Sequence, residues 1–324
     1  MRAPAFWSRR TPLSTLLVPL GALYAGAGRL RRLMATPRDA GVPVVCIGNL
    51  VAGGAGKTPV AIAVARHLIA RDIAVHFLSR GYGGMLPGPV RVAPGRHDAA
   101  EVGDEPLLLA EVAPCWIARD RVAGAVAAVA DGAQLIVMDD GHQNARLRKA
   151  VSMVVVDGET GFGNGRVMPA GPLRETVAAG LARADAVILI GEDRAGVAGL
   201  LPPGLAVLHG TLEPASDSRA LAGKTVFGFA GIGRPGKFRA TLERLGCAVA
   251  LWRDFPDHHP YRRAEIEAIL REAGAAGAIA VTTEKDAVRL PQDLRASIRT
   301  VRVQVAWRDP ARLEDVLPAV MRNG

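Results

Sequence analysis

The sequence predicts an α/β protein, and three observations carry the prediction. From residue 42 onward, short apolar runs alternate with Ala- and Leu-rich helical stretches, the pattern of a mostly parallel sheet with helices on both faces. One strand-to-helix turn carries the glycine-rich stretch Val51-Ala52-Gly53-Gly54-Ala55-Gly56-Lys57-Thr58-Pro59. A Pro-, Gly- and Ser-rich stretch over 200–218 separates two such series in a chain of 324 residues, long enough for two domains.

The elements follow in order. Residues 42–47 form an apolar strand, and the Ala/Ile/Val-rich stretch 59–70 a helix. Strands are expected over 74–78, 115–118, 134–138, 151–156 and 186–190, each an apolar run of strand length. Helices over 105–112, 121–130 and 174–182 lie between them. The second series runs as strand 225–230, helix 237–245, strand 248–252, helix 262–273 and strand 278–281. Strand 300–305 and helix 310–322 close it. With a boundary near 212–222, the chain divides into an apolar N-terminal helix (1–35), a larger domain with the glycine-rich turn (36–215) and a smaller α/β domain (216–324).

Composition narrows the partners. Hydrophobic content of 49% supplies sizeable cores, and a net charge of +9 favours an anionic partner. The charge is mostly arginine, spread along the chain without a basic run, and aromatics are only 4%. That argues against nucleic acid, which asks for a basic patch and stacking platforms. Cys46, Cys115 and Cys247 lack metal or redox spacing and read as reduced core residues of a cytosolic protein.

The N-terminus has its own character. Residues 11–28 carry no charge, with Arg2, Arg9 and Arg10 before them and Arg29, Arg31 and Arg32 after. As one helix they would span about 27 Å, slightly short for a bilayer core. Pro12 and Pro19 weaken a straight helix further. An interfacial anchor is the first reading, with arginines on anionic head groups. A single spanning helix is the second, and a helix packed on its own domain the third.

The chemistry begins at the glycine-rich turn. Strand, glycines, then Lys-Thr opening a helix is the arrangement that holds a nucleoside polyphosphate. Backbone N–H groups of residues 51–56 close around phosphate oxygens, Lys57 reaches the outer phosphates and Thr58 offers a hydroxyl to Mg²⁺. Val51 stands where the usual pattern has its first glycine. Residues 135–143, LIVMDDGHQ, are an apolar strand ending in Asp139 and Asp140, the carboxylates that reach a metal in such sites. Asp104 and Glu105 follow Gly103 at a helix start, where they serve as a cap or face a metal or substrate hydroxyl. In residues 255–261, FPDHHPY, Asp257 beside His258 and His259 suggests an acid–imidazole unit able to take a proton from a hydroxyl. The glycine-rich stretch 161–175 holds Arg166 and Arg174, and Arg174 is placed to clamp a phosphoryl group. Lys285, in TTEKD, caps a sheet edge or is solvated.

Together, GNLVAGGAGKTP, LSRGYGG, VGDEPLLLA, MDDGHQ, MPAGPLRE, FPDHHPY and VTTEKDAV resemble, in this order and over essentially the whole chain, the tetraacyldisaccharide 4′-kinases of lipid A synthesis. The resemblance implies two Rossmann-like α/β/α domains with a cleft between them, the N-terminal one of P-loop NTPase type, preceded by the apolar helix. It implies transfer of the ATP γ-phosphate, with Mg²⁺, to the 4′-hydroxyl of a tetraacylated glucosamine disaccharide 1-phosphate, giving lipid IVA. The work takes place at the cytosolic face of the bacterial inner membrane. By motif, Lys57 and Thr58 bind phosphates and Mg²⁺, while Asp139 and Asp140 organise the metal and the catalytic centre. Asp104 and His258 form the acid–base pair, in an order the motif leaves open, with Glu105, Arg174 and Glu175 in support. The family commonly has a hydroxyl residue at Val51 and often an apolar one at His142; neither position is a proposed reacting group.

The main rival is a membrane-associated P-loop GTPase or metallochaperone-type NTPase. Guanine readers show Asn/Thr-Lys-x-Asp, whereas Lys285 and Asp286 are adjacent here. A D-x-x-G switch after the strand would need glycine at His142. A non-enzymatic tether would have no use for Asp139, Asp140 and the Asp-His loop.

Overall fold

The computed structural model of the chain describes residues 4–317. Arg2 and the end of the helix expected over 310–322 lie outside them. Thirteen strands are present among the described residues. In chain order they are β1 (Val44–Gly48), β2 (Val75–Ser79), β3 (Val90–Arg91), β4 (Cys115–Ile117), β5 (Leu135–Asp139), β6 (Val151–Asp157) and β7 (Ala186–Ile190). Then come β8 (Ala206–Pro214), β9 (Thr225–Ala230), β10 (Ala248–Asp254), β11 (Ile279–Thr283), β12 (Arg299–Val301) and β13 (Val303–Trp307).

The larger sheet has nine strands in the order β13-β8-β7-β6-β1-β5-β2-β4-β3. Its central strands are buried along their whole length. Strand alternation then fills two cores at once. Val45, Ile47, Leu135, Val137, Met153 and Ile188 face one side. Val44, Cys46, Ile136 and Met138 face the other, as do Val154, Val156, Val187 and Leu189 further along the sheet. The helix Lys57–Ile69 covers the first side, burying Val60, Ala61, Val64, Ala65 and Leu68 at helical spacing. The smaller sheet, β10-β9-β11-β12, is all parallel. Phe227 and Phe229 face one of its cores, Val226 and Ala230 the other. This is the mixed α/β architecture the alternation predicts.

Strand order reverses at β1, which lies between β5 and β6. The crevice beyond the carboxyl ends of strands at such a reversal is where open α/β sheets bind ligands. The glycine-rich turn follows β1, and Asp140 follows β5, at this edge.

Three segments differ from expectation. The Pro/Gly-rich stretch 200–218 contains β8, nine residues that pair with β7 and β13. Glycine and proline at its ends read as loop, while the strand between mixes buried, half-buried and exposed residues and lacks the continuous burial of the central strands. The strand expected over 300–305 divides at Arg302: β12 pairs with β11 in the smaller sheet, and β13 returns antiparallel to β8 in the larger one. The helix expected over 174–182 is Val177–Leu181, capped by Thr176. Arg174 N donates to Leu50 O at 2.8 Å, which holds the preceding backbone extended. All three cysteines are buried and free.

The apolar N-terminus forms two helices, Pro12–Leu16 and Val18–Leu33. No helix of the described residues is long and apolar enough to cross a membrane. The longer helix has 16 residues, about 24 Å. The outer side of the helix pair, with its C-cap, leaves Leu16, Leu23, Leu33 and Met34 more than 70% exposed.

After β13, the helix Ala311–Val316 seats Leu313 in the core beneath Lys57–Ile69. Leu313→Ala is expected to cost about 2–4 kcal/mol of unfolding free energy. Urea denaturation measures this; a loss below about 1 kcal/mol would show that the returning segment is not part of the cooperative core.

Candidate active site

The site is assembled on the carboxyl edge of the larger sheet. Val51 bridges to Leu173, and Ala52 N donates to Pro172 O at 2.7 Å, so the loop's first limb is held by the stretch before Arg174. Gly53 and Gly54 are exposed at the tip, and Ala55 is buried beneath. Gly56 has a φ of 84°, a left-handed turn that lets Lys57 begin the helix with its N–H groups facing the loop. Lys57 and Thr58 are both 8% exposed.

Thr58 Oγ1 donates to Asp139 Oδ2 at 3.2 Å. Asp139 is fully buried, and its Oδ1 has no hydrogen-bond partner among the described residues. Burial, then the nearby charge of Glu105, pushes its carboxyl up to about 7 despite Lys57. Asp140 behaves oppositely. Burial alone would raise it, but Lys57, Arg174 and the buried Arg121 hold it below the usual carboxylate range. Lys57 Nζ is 3.8 Å from Asp140 Oδ1, and Arg174 grips both oxygens at 2.7 and 3.1 Å. Arg121 itself is pushed down to about 10, by burial and then by Arg80.

Across the crevice, His258 Nδ1 lies 3.0 Å from Asp104 Oδ2. Sequence proximity suggests Asp257 as the partner of the imidazole, but its Oδ1 is 3.8 Å from His258 Nε2. His259 pairs instead with Glu265 at 3.0 Å. Asp104 is the first residue of the helix Asp104–Ala110, whose N-cap is Gly103. Burial pushes its carboxyl up; the hydrogen bond with His258 and the charges of Lys285 and Arg289 outweigh this and hold it low. Glu105 bonds Lys285 Nζ at 3.1 Å.

Asp140 and His258 have φ of 51° and 59°, two of three non-glycine residues with positive φ among the described residues. Such strain gathers at sites where surrounding structure fixes a side chain's direction.

Glu175 is placed differently from its neighbours. It is 2% exposed and accepts from Arg183 at 2.8 Å and Gln143 at 3.1 Å, with Arg32 at 3.4 Å. It follows Arg174 in the chain, and its partners are these three side chains and not Asp139 or Asp140. His142 is buried between Ser152 Oγ at 2.9 Å and Gly180 O at 3.0 Å, and burial pushes it down to about 4. Sequence reasoning missed Arg289 and Asp286. Buried Asp286 accepts from Gly231 N, Tyr261 and Thr283, and holds Arg289, whose Nε is 3.7 Å from Asp104 Oδ2. The available signal was the TTEKD turn at the end of an apolar strand.

No group of three or more His, Cys, Asp or Glu among the described residues is arranged to hold a metal alone. Thr58, Asp139 with its unpartnered oxygen, and the adjacent charge of Glu105 are the donor set at the loop. Mg²⁺ commonly takes one or two carboxylates and completes its shell with phosphate and water.

Comparison with known proteins gives a single picture. The family described as Tetraacyldisaccharide-1-P 4′-kinase matches residues 13–322. The tetraacyldisaccharide 4′-kinase of Rhodospirillum centenum is 54% identical, covering 99% of this chain and 97% of its own. That of Rhodospirillum rubrum is 53% identical, covering 98% and 97%. The crystal structure of "apo" form LpxK from Aquifex aeolicus in complex with ATP superposes with a TM-score of 0.77 at 26% identity, over 95% of this chain and 99% of that one.

The raised Asp139 carboxyl has a consequence for stability. Folding holds a proton here between the ordinary value of 3.8 and about 7. The stabilisation is complete below the lower value and lost as pH rises through the upper one. Relative to Asp139→Asn, the nucleotide- and metal-free protein should lose stability from pH 5 to pH 7, by at most about 1.4 kcal/mol per unit, and level off above pH 8. Urea unfolding of both proteins across that range reads the difference; a constant difference would contradict a neutral buried Asp139.

Proposed function

Because the chain belongs to the tetraacyldisaccharide-1-P 4′-kinase family, we propose that it moves the γ-phosphoryl group of ATP onto the 4′-hydroxyl of a tetraacylated glucosamine disaccharide 1-phosphate. The protein is a tetraacyldisaccharide 4′-kinase, an enzyme of lipid A biosynthesis. The GTPase or metallochaperone reading falls with that assignment. The single observation carrying the mechanism is the 3.0 Å contact of His258 with Asp104, which brings an imidazole from the smaller sheet to the phosphate-binding edge of the larger one.

On the donor side, the N–H groups of residues 51–56 and the N-terminus of Lys57–Ile69 receive the phosphates, and Lys57 neutralises the β- and γ-oxygens. The donor set fits a divalent cation, since a buried carboxylate oxygen without a partner is costly unless something charged meets it. Thr58 and Asp139 would hold Mg²⁺, with Glu105 beside them, and the ion would neutralise phosphate charge. Arg174, held against Asp140 and backed by Glu175, is poised to exchange that carboxylate for the equatorial oxygens of the moving group.

On the acceptor side, Asp104 is ionised and accepts the Nδ1 proton of His258, which leaves Nε2 as the base. The 4′-hydroxyl gives its proton to Nε2 as its oxygen bonds the γ-phosphorus. The bond from that phosphorus to the β–γ bridging oxygen breaks, and ADP leaves with the electron pair. Asp104 offsets the charge the ring acquires, as a carboxylate behind an imidazole does in other proton transfers. The N-terminal helices, apolar outside and flanked by arginines, support docking on the cytosolic face of the inner membrane, where an acylated acceptor resides.

Incubation of the detergent-solubilised enzyme with γ-labelled ATP, Mg²⁺ and the disaccharide 1-phosphate should place label in the lipid; label released only as phosphate would overturn the acceptor assignment. Lys57→Ala and His258→Ala should each lower kcat by about 100-fold or more with little change in unfolding midpoint, and Asp104→Ala should lower kcat as much and the midpoint as well, because it leaves Arg289 buried without that carboxylate. Folded variants turning over near the wild-type rate would refute the roles given to them.

A further inference from the structure

We infer that the N-terminal helix pair is a positioning element for the nucleotide site, acting through residues 162–175, so that docking on a lipid surface and ATP binding reinforce one another. The inference rests on the lipid-surface docking proposed above.

Residues 162–175 are held from both sides. On one side lies the N-terminal segment. Asn164, 6% exposed, donates from Nδ2 to Phe6 O and to Ala170 O, both at 2.9 Å, and from its backbone N to Trp7 O at 2.8 Å. Trp7 Nε1 returns a bond to Pro169 O at 3.1 Å. Arg166 Nη1 donates to Ser14 Oγ and Thr15 Oγ1, both at 2.9 Å. A Cβ on Gly21 would stand 2.8 Å from Val167 O, so only glycine permits this approach. Arg32, near the end of the second helix, reaches Glu175 at 3.4 Å. On the other side lies the nucleotide loop, through Pro172 O to Ala52 N and through Arg174 N to Leu50 O. Arg174 then carries the grip on Asp140.

The helix pair divides its surface cleanly. Ser14, Leu17, Gly21, Ala25, Gly28 and Arg32, spaced three or four apart, are buried or half-buried. The leucines between them face outward. A lipid surface can therefore take the outer side without competing for the inner contacts. Helices fixed on a surface restrict residues 162–175, and the glycine-rich loop surrenders less freedom when ATP orders it. Two ligands that each favour the same ordered arrangement bind cooperatively, and the coupling is reciprocal.

The test measures MgATP binding by calorimetry without acceptor, in the presence and absence of phosphatidylglycerol–phosphatidylethanolamine vesicles. The full-length enzyme should bind MgATP at least about threefold more tightly on vesicles, and MgATP should tighten vesicle binding by the same factor. Arg166→Met and Gly21→Val should lose this response while keeping vesicle-free ATP affinity within about twofold of wild type; Arg166→Lys should retain part of it. Equal affinities with and without vesicles, or an undiminished response in a folded Arg166→Met enzyme, would overturn the inference. Should Gly21→Val fail to fold, the two Arg166 variants decide the matter. Failure of the kinase mechanism would show separately, as absent label transfer with nucleotide coupling intact.

Discussion

The contact between Asp104 and His258 joins residues 154 apart in sequence and sets the terms for everything around it. A carboxylate 4% exposed cannot stand uncompensated in a protein interior. Lys285 at 3.8 Å and Arg289 at 3.7 Å supply part of the compensation, and the imidazole supplies a directed hydrogen bond. Each helper needs its own support. Arg289 is steadied by Asp286, by His259 O and by Gly231 O, and His258 N donates to that same Gly231 O. The loops following β9, β10 and β11 are thus bound to one another before they meet the larger sheet. Only a rigid acceptor-side unit of this kind can hold an imidazole at a left-handed backbone position.

The donor side solves a different electrostatic problem. Asp139 and Asp140 are neighbours at the end of β5, yet their carboxyls are driven in opposite directions. Backbone geometry is the reason: Asp139 completes the strand and faces inward, whereas the left-handed turn at Asp140 swings its side chain toward Lys57, Arg174 and Arg121. Asp140 therefore gathers the cations at this edge of the sheet. Asp139 retains an oxygen without a partner among the described residues, and burial raises its carboxyl to about 7.

How much of this was legible in the sequence depends on the range of each interaction. The glycine-rich loop, the paired aspartates and the Asp-His-His loop all announce themselves locally, because strand, turn and helix starts are written in consecutive residues. The choice of Asp104 over Asp257 as the partner of His258 was not written locally; it follows from how two sheets meet, and only family resemblance anticipated it. The division at Arg302 was hidden for a similar reason. Residues 300–305 read as one strand, and nothing in their alternation says that β12 and β13 belong to different sheets. The motif gave Glu175 only as a supporting residue beside Arg174; which side chains surround it, Arg183, Arg32 and Gln143, was not written locally.

That division at Arg302 also explains how the crevice is held. The chain passes between the sheets twice, after β8 and between β12 and β13, and Ala215 N donates to Arg302 O at 2.9 Å where the passages run together. A pair of adjacent strands is a narrow attachment, so contacts across the crevice must fix its width. Those contacts are unequal. On one flank Asp157 meets Lys237 at 2.6 Å and Arg234 at 3.0 Å, but the two cations are 47% and 37% exposed. Water competes for such pairs, and their net value is commonly about 0–1 kcal/mol. On the other flank Asp104, Arg289 and Asp286 are nearly dry, and breaking that network would leave buried charge unpaired. Closure is consequently firmest beside the imidazole and weakest on the flank of β6. His258 is thereby held against the larger sheet, while the opposite rim is the easier one to part.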